Sequence, residues 1–110
     1  MRELTLDGSG WRTTNDVYDA FFAAVGAPSW HGRNFDALND SIATGSINAI
    51  EVPYRIVIRN FDLTTGEAAQ MATDFVDLIL EISERGCPVE VELRESSGML
   101  LPVQHSRSQN

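Results

Sequence analysis

The stretch YRIVIRNFDLTTGEAAQMATDFVDLILEISERGCPVEVEL, residues 54–93, decides the fold. It opens with Tyr54-Arg55-Ile56-Val57-Ile58-Arg59, a β-branched run bordered by two arginines, which reads as a well-buried strand. Thr64 and Glu67 then match a capping box, and Met71, Phe75, Leu78, Ile79 and Ile82 recur at three- and four-residue spacing. This is the longest helix, and Gly86 closes it. After Pro88, the alternation of Val89, Val91 and Leu93 with Glu90 and Glu92 gives a further strand with one buried face. Strands joined through a helix lie parallel, because a parallel crossover needs a dozen or more residues and a helix supplies them compactly.

Working back toward the N-terminus, a loop rich in small and turn-forming residues, Thr44 to Pro53, precedes the strand. A helix before it starts at Asn34, whose side-chain oxygen can accept a backbone N–H, and runs to Ala43. It puts Phe35, Leu38 and Ile42 inward and leaves Asp36, Asn39, Asp40 and Ala43 outward. Thr13 or Thr14 caps an earlier helix, with Val17, Phe21, Ala24 and Val25 on one face and Gly26 and Pro28 at its end. Leu4 and Leu6 alternate with Glu3, Thr5 and Asp7 in a short first strand. The expected fold is α/β, a small three-stranded parallel sheet packed with three to four helices. One domain is expected over residues 1–94, with a C-terminal extension over 95–110. Met99–Val103 is a candidate edge strand, since Pro102 tolerates an edge, and disorder is expected beyond Gln104.

The chain has 110 residues, 43% of them apolar, enough for one core. No apolar stretch approaches the roughly 20 residues that cross a bilayer, and the N-terminus lacks the apolar segment of a signal peptide. A cytoplasmic protein is expected. Cys87 is the sole cysteine, so no internal disulfide can form, and it reads as a small buried hydrophobe. Sixteen acidic residues against eight arginines give a net charge of −8. That charge opposes direct binding to nucleic acid and attracts a basic protein, or simply serves solubility.

Catalysis finds little material. Asp36 and Asp40 share a helix face near His31, and His105 lies in the tail, but neither histidine has neighbours at a metal-binding spacing. No phosphate-cradling motif is present, and Gly8-Ser9-Gly10 reads as a strand-ending loop. No catalytic residue, metal or cofactor is expected. The carboxylates say more. Asp36 is favoured near a helix N-terminus by about 0.3 to 1 kcal/mol. Asp40, a turn further on, has faded dipole support, poor propensity and no basic residue four positions away, so it needs another reason. Gln70, Asp74, Asp77, Glu81 and Glu84 repeat on the long helix opposite its apolar stripe, either as a solvated face or partly as a surface for a cationic partner. Trp30 either lids the core or contacts a partner, and His31 is either structural or a pH-sensitive rim group.

The segment Pro28-Ser29-Trp30-His31-Gly32-Arg33-Asn34-Phe35-Asp36-Ala37-Leu38-Asn39-Asp40 resembles the barstar family's signature of proline, aromatic pair, glycine, then asparagine-apolar-aspartate-alanine-leucine-x-aspartate. The element order and the Gly86-Cys87 end of the long helix are similar to the family as well, so the resemblance covers roughly Met1 to Leu93. It implies a one-to-one inhibitor of a small basic ribonuclease that plugs the catalytic cleft with the second helix and its preceding loop. Asp40 would be the principal anchor, framed by Trp30, Asn34, Asp36 and Asn39, with Glu81 contributing from the long helix. Such a protein is an antitoxin or immunity protein, a monomer when free and no enzyme. Arg33 and Asn39 depart from the family's pattern, which leaves open an immunity or regulatory protein of the same fold for a different toxin or partner.

Overall fold

The computed structural model describes residues 1–104. The chain alternates strand and helix: β1 (Arg2–Asp7), α1 (Thr14–Val25), α2 (Phe35–Asn39) running into a wider π turn (Asp40–Thr44), β2 (Tyr54–Arg59), α3 (Gly66–Glu84), β3 (Val89–Arg94) and β4 (Leu100–Leu101). The strands lie in the order β1-β2-β3-β4, with β1, β2 and β3 parallel and β4 antiparallel to β3. The three parallel strands are those expected, and the candidate edge strand adds a fourth. The hydrogen bonds that add the fourth are local: Gly98 N donates to Glu95 O (2.8 Å) and Glu95 N to Met99 O (2.9 Å). Gly98 takes a φ of 93°, a left-handed value that costs glycine little, and the chain folds back onto β3. The paired part is shorter than Met99–Val103. The expectation about residues beyond Gln104, and His105 with it, lies outside the described residues.

Register places Leu4 against Ile56 and Ile56 against Val91, then Leu6 against Ile58 and Ile58 against Leu93. Leu4, Leu6, Ile56, Ile58 and Leu93 are buried and meet Val17, Phe21 and Val25 of α1 and Met71, Phe75, Ile79 and Ile82 of α3 in one core. Right-handed crossovers between strands in sequential order put both helices on the same face of the sheet. Phe21 and Phe75 join them edge to face at 5.3 Å. On the other face Arg55 sits in register between Glu3 and Glu90 and pairs with both, at 3.0 and 2.9 Å. A water-facing side explains why β1 and β3 alternate polar and apolar residues, where parallel strands covered on both faces are continuously apolar.

Two local expectations are corrected. Thr64 and Glu67 do not form a capping box. Thr64 Oγ1 is spent on Phe61 O (2.9 Å), the N-cap is Thr65, and Glu67 Oε2 accepts from Thr14 N (2.8 Å), tying the starts of α3 and α1 together. The reciprocal box belongs to α1, where Thr13 Oγ1 accepts from Asp16 N and Asp16 Oδ2 accepts from Thr13 N (3.0 Å). The row on α3 is also not uniformly solvated. Asp77 is 1% exposed, because the chain returning through Pro102 to Gln104 lies beside α3 and encloses a groove with Phe61, Val76 and Leu93.

Candidate functional site

Asn34 starts α2 by accepting Ala37 N on its side-chain oxygen (2.8 Å), satisfying one of the donors that a helix start leaves without a partner. Leu38 and Ile42 are fully buried and fix the rotation of the segment. That rotation leaves Asp36 and Asp40 exposed one turn apart, and among the described residues no arginine forms an ion pair with either. The α-helix does not continue to Ala43. From Asp40 the turns widen to a π turn, while Ser41 Oγ donates to Leu38 O (3.2 Å), a local bond that competes with the main-chain ladder. Single π turns inside helices occur often at functional sites.

The loop before α2 is held tightly. His31 N bonds Pro28 O (3.0 Å), and a Cβ at Gly32 would come within 3.2 Å of Ala37 Cβ, so the loop can lie close to the helix because position 32 has no side chain. His31 is only 7% exposed. Its ring lies 4.4 Å from that of Phe22 and its Nδ1 hydrogen-bonds Gly32 O (2.9 Å), which gives it a structural role, while its buried Nε2 has no hydrogen-bond partner among the described residues. Trp30 is 73% exposed and lids no core. Arg33 turns back onto α1, where it meets Asp19 Oδ1 at 2.6 Å and Asn15 Oδ1 at 3.1 Å, with its guanidinium 5.4 Å from the Phe22 ring and 5.9 Å from that of Tyr18. The departure from the family pattern at this position thus braces the loop from behind.

These elements bring Trp30, His31, Gly32, Ala37, Ile47 and Asp40 around one hollow of about 200 Å³. Trp30 and Asp40 line it together, with Asn34 at the start of the same helix and Asp36 one turn before Asp40. Asn39 is half-buried and its Oδ1 accepts from Arg85, which follows α3. Glu81 stands one turn before Arg85 on that helix, so it belongs to the element that touches α2 rather than to α2 itself. Ile47 and Arg85 were not evident in the sequence. Ile47 lies in an irregular loop, and a cation at a helix C-terminus is already explained by the macrodipole. Among the described residues no group of three or more histidines, cysteines or carboxylates could hold a metal ion, and no helix is long and apolar enough to cross a membrane.

The arrangement defines a small α/β protein that presents an acidic helix, an exposed tryptophan and a braced loop on its helical layer. Residues 1–95 match the family model described as "Barstar (barnase inhibitor)". The chain belongs to the barstar family. Over 84 residues, 76% of this chain and 88% of the relative, it is 29% identical to a Bacillus subtilis (strain 168) protein described as "Putative ribonuclease inhibitor YrdF".

Proposed function

We propose that the protein inhibits a small basic ribonuclease, one to one, by seating the Trp30–Asn34 loop and the acidic helix in the enzyme's catalytic cleft. The observation that carries this reading is the exposure of Asp36 and Asp40 on one face beside the Trp30 hollow, with no arginine of the described chain paired to either. A carboxylate desolvated against arginines of an RNA-binding cleft forms charge-assisted bonds where the substrate's phosphates would lie. The net charge of −8 raises the rate at which a basic enzyme arrives. Asp40 is the anchor; Trp30, Asn34 and Asp36 frame it, Glu81 adds charge from α3, and Asn39 acts through Arg85. Membership of the barstar family and the description of the B. subtilis relative support ribonuclease inhibition.

The test titrates the protein into a panel of basic, guanyl-preferring ribonucleases of the barnase type and follows RNA cleavage. Inhibition saturating at one equivalent is expected, and none across the panel refutes the reading. Asp40→Ala should weaken inhibition by about 30-fold or more, since truncating one partner of a buried charge pair costs about 2 to 5 kcal/mol or more, and coupling energies of close charge pairs in the barnase–barstar complex span about 1.5 to 7 kcal/mol. Asp74→Ala, on the long helix beside Gln70, is the control and should change inhibition by less than about threefold. Equal effects would remove the special status of Asp40.

A further inference from the structure

Arg85 is a cation placed within an acidic face. Its guanidinium is bonded to Asn39, the residue next to Asp40, and it follows α3 one turn after Glu81 and immediately after Glu84. Among the described residues, the arginines that form ion pairs are engaged differently. Arg33 is spent on Asp19, Arg55 on Glu3 and Glu90, and Arg94 on Glu92. Arg85 is anchored by a neutral amide, which fixes its direction and leaves its charge in place. A guanidinium carries five donors, and one bond to Asn39 leaves others for a second acceptor. Arg85 is exposed, so those donors are available at the surface.

We propose that Arg85, held by Asn39, is a specificity-determining residue of this face: the ribonuclease it suits presents a carboxylate or carbonyl oxygen opposite Arg85, and an enzyme that is cationic at that point is disfavoured. The inference rests on the inhibitory reading above. A face carrying only the carboxylates of Asp36 and Asp40 would attract any basic enzyme. One fixed positive charge among them adds a repulsive element, and discrimination between similar partners uses repulsion as well as attraction. Asn39 is then a positioning residue. Its amide oxygen aims the guanidinium, whereas an aliphatic side chain there would leave a long, freely rotating arginine.

The test measures inhibition constants and association rates of the intact protein, Arg85→Gln, Arg85→Glu, Asn39→Ala and Asp40→Ala against the same panel of barnase-type ribonucleases. Arg85→Gln removes the charge and, being two bonds shorter, the bond to Asn39 as well, so Asn39→Ala, which removes that bond and keeps the charge, separates selectivity from a loosened α2–α3 contact. The expected result is a reordering. The enzyme inhibited best by the unaltered protein is inhibited about tenfold less well by Arg85→Glu, the enzyme inhibited worst is inhibited better, and Arg85→Gln falls between. Asn39→Ala should shift the panel in the direction of Arg85→Gln by a smaller factor. A change by the same factor for every enzyme, or none, overturns the proposal. Asp40→Ala distinguishes the two readings: if it weakens inhibition across the panel while the Arg85 variants leave the ranking intact, the selectivity role fails and the inhibitory function stands. If the unaltered protein inhibits no enzyme of the panel, both fail.

Discussion

Replacing Arg33 with alanine separates a brace from a contact by the sign of its effect. Arg33 forms an exposed ion pair with Asp19, its side chain 43% and that of Asp19 62% accessible, and it lies over the rings of Phe22 and Tyr18. An ion pair this exposed contributes about 0.2 to 1 kcal/mol. A cation over an aromatic ring at an exposed site adds about 0.5 to 1 kcal/mol. Together they hold the loop carrying Trp30 in place with about 0.7 to 2 kcal/mol. If binding must restore that order, Arg33→Ala weakens inhibition about 3- to 30-fold at 1.4 kcal/mol per tenfold. Had Arg33 faced the basic enzyme, its removal would relieve repulsion of about 0.4 kcal/mol at ~10 Å in water and tighten binding about twofold. The two cases differ in sign. A double-mutant cycle with Asp19→Ala, read by inhibition kinetics at two salt concentrations, completes the test. Both single variants should weaken inhibition and the double variant should be little worse than either. Tighter inhibition by Arg33→Ala, or additive losses, would refute the brace.

Burial and hydrogen bonding carry further consequences. Leu38→Ala removes a fully buried side chain under the acidic helix and should lower unfolding free energy by about 2 to 5 kcal/mol in a urea melt, with loss of inhibition at temperatures where the fold survives. Asp16 is held below its ordinary value of 3.8 mainly by the backbone N–H of Arg12 and then that of Thr13. A depressed carboxyl stabilises the fold above its unfolded value and loses that contribution as pH falls through its folded value. Urea midpoints should therefore be level from pH 7 to about 5 and drop below about 4, and Asp16→Ala should flatten part of the drop; an unchanged acid limb in that variant would contradict this. Burial pushes the Cys87 thiol above its ordinary value of 9.0, although Arg85 acts in the opposite direction, so iodoacetamide at pH 8 should alkylate it more slowly in the folded protein than in urea.

Most of the fold was legible because the signals were periodic. Leu4 and Leu6, the Val17–Val25 face, the run at Ile56–Ile58 and the stripe from Met71 to Ile82 each repeat at the spacing of their element, and burial matches that spacing. β4 was half legible, since the short apolar run with Pro102 marked a candidate edge strand but the extent of pairing depends on the turn at Gly98. The capping box at Thr64 failed for a tertiary reason: Glu67 found a better donor in Thr14, far away in sequence. Asp77 failed likewise, because helical spacing alone cannot show that a returning chain covers one side of the row. Within the site, the outward positions of Asp36 and Asp40 could be read from those of Leu38 and Ile42. Neither the direction of Arg33 nor the partner of Asn39 could be read, since long side chains choose their partners from the folded surroundings.

The π turn bears on any attempt to copy this surface in a short synthetic peptide. A π turn closes on i→i+5 hydrogen bonds where an α turn closes on i→i+4, so each residue in it turns through less than the roughly 100° of an α-helix and later residues fall behind their α-helical positions. Positions 36, 40 and 43, which an ideal α-helix would set in one line, therefore stop being collinear after Asp40. A stapled peptide of regular α-geometry can reproduce Asn34 to Asp40 and misplaces everything beyond it. Mimicry should end at Asp40, or the template must carry the widened turn as well.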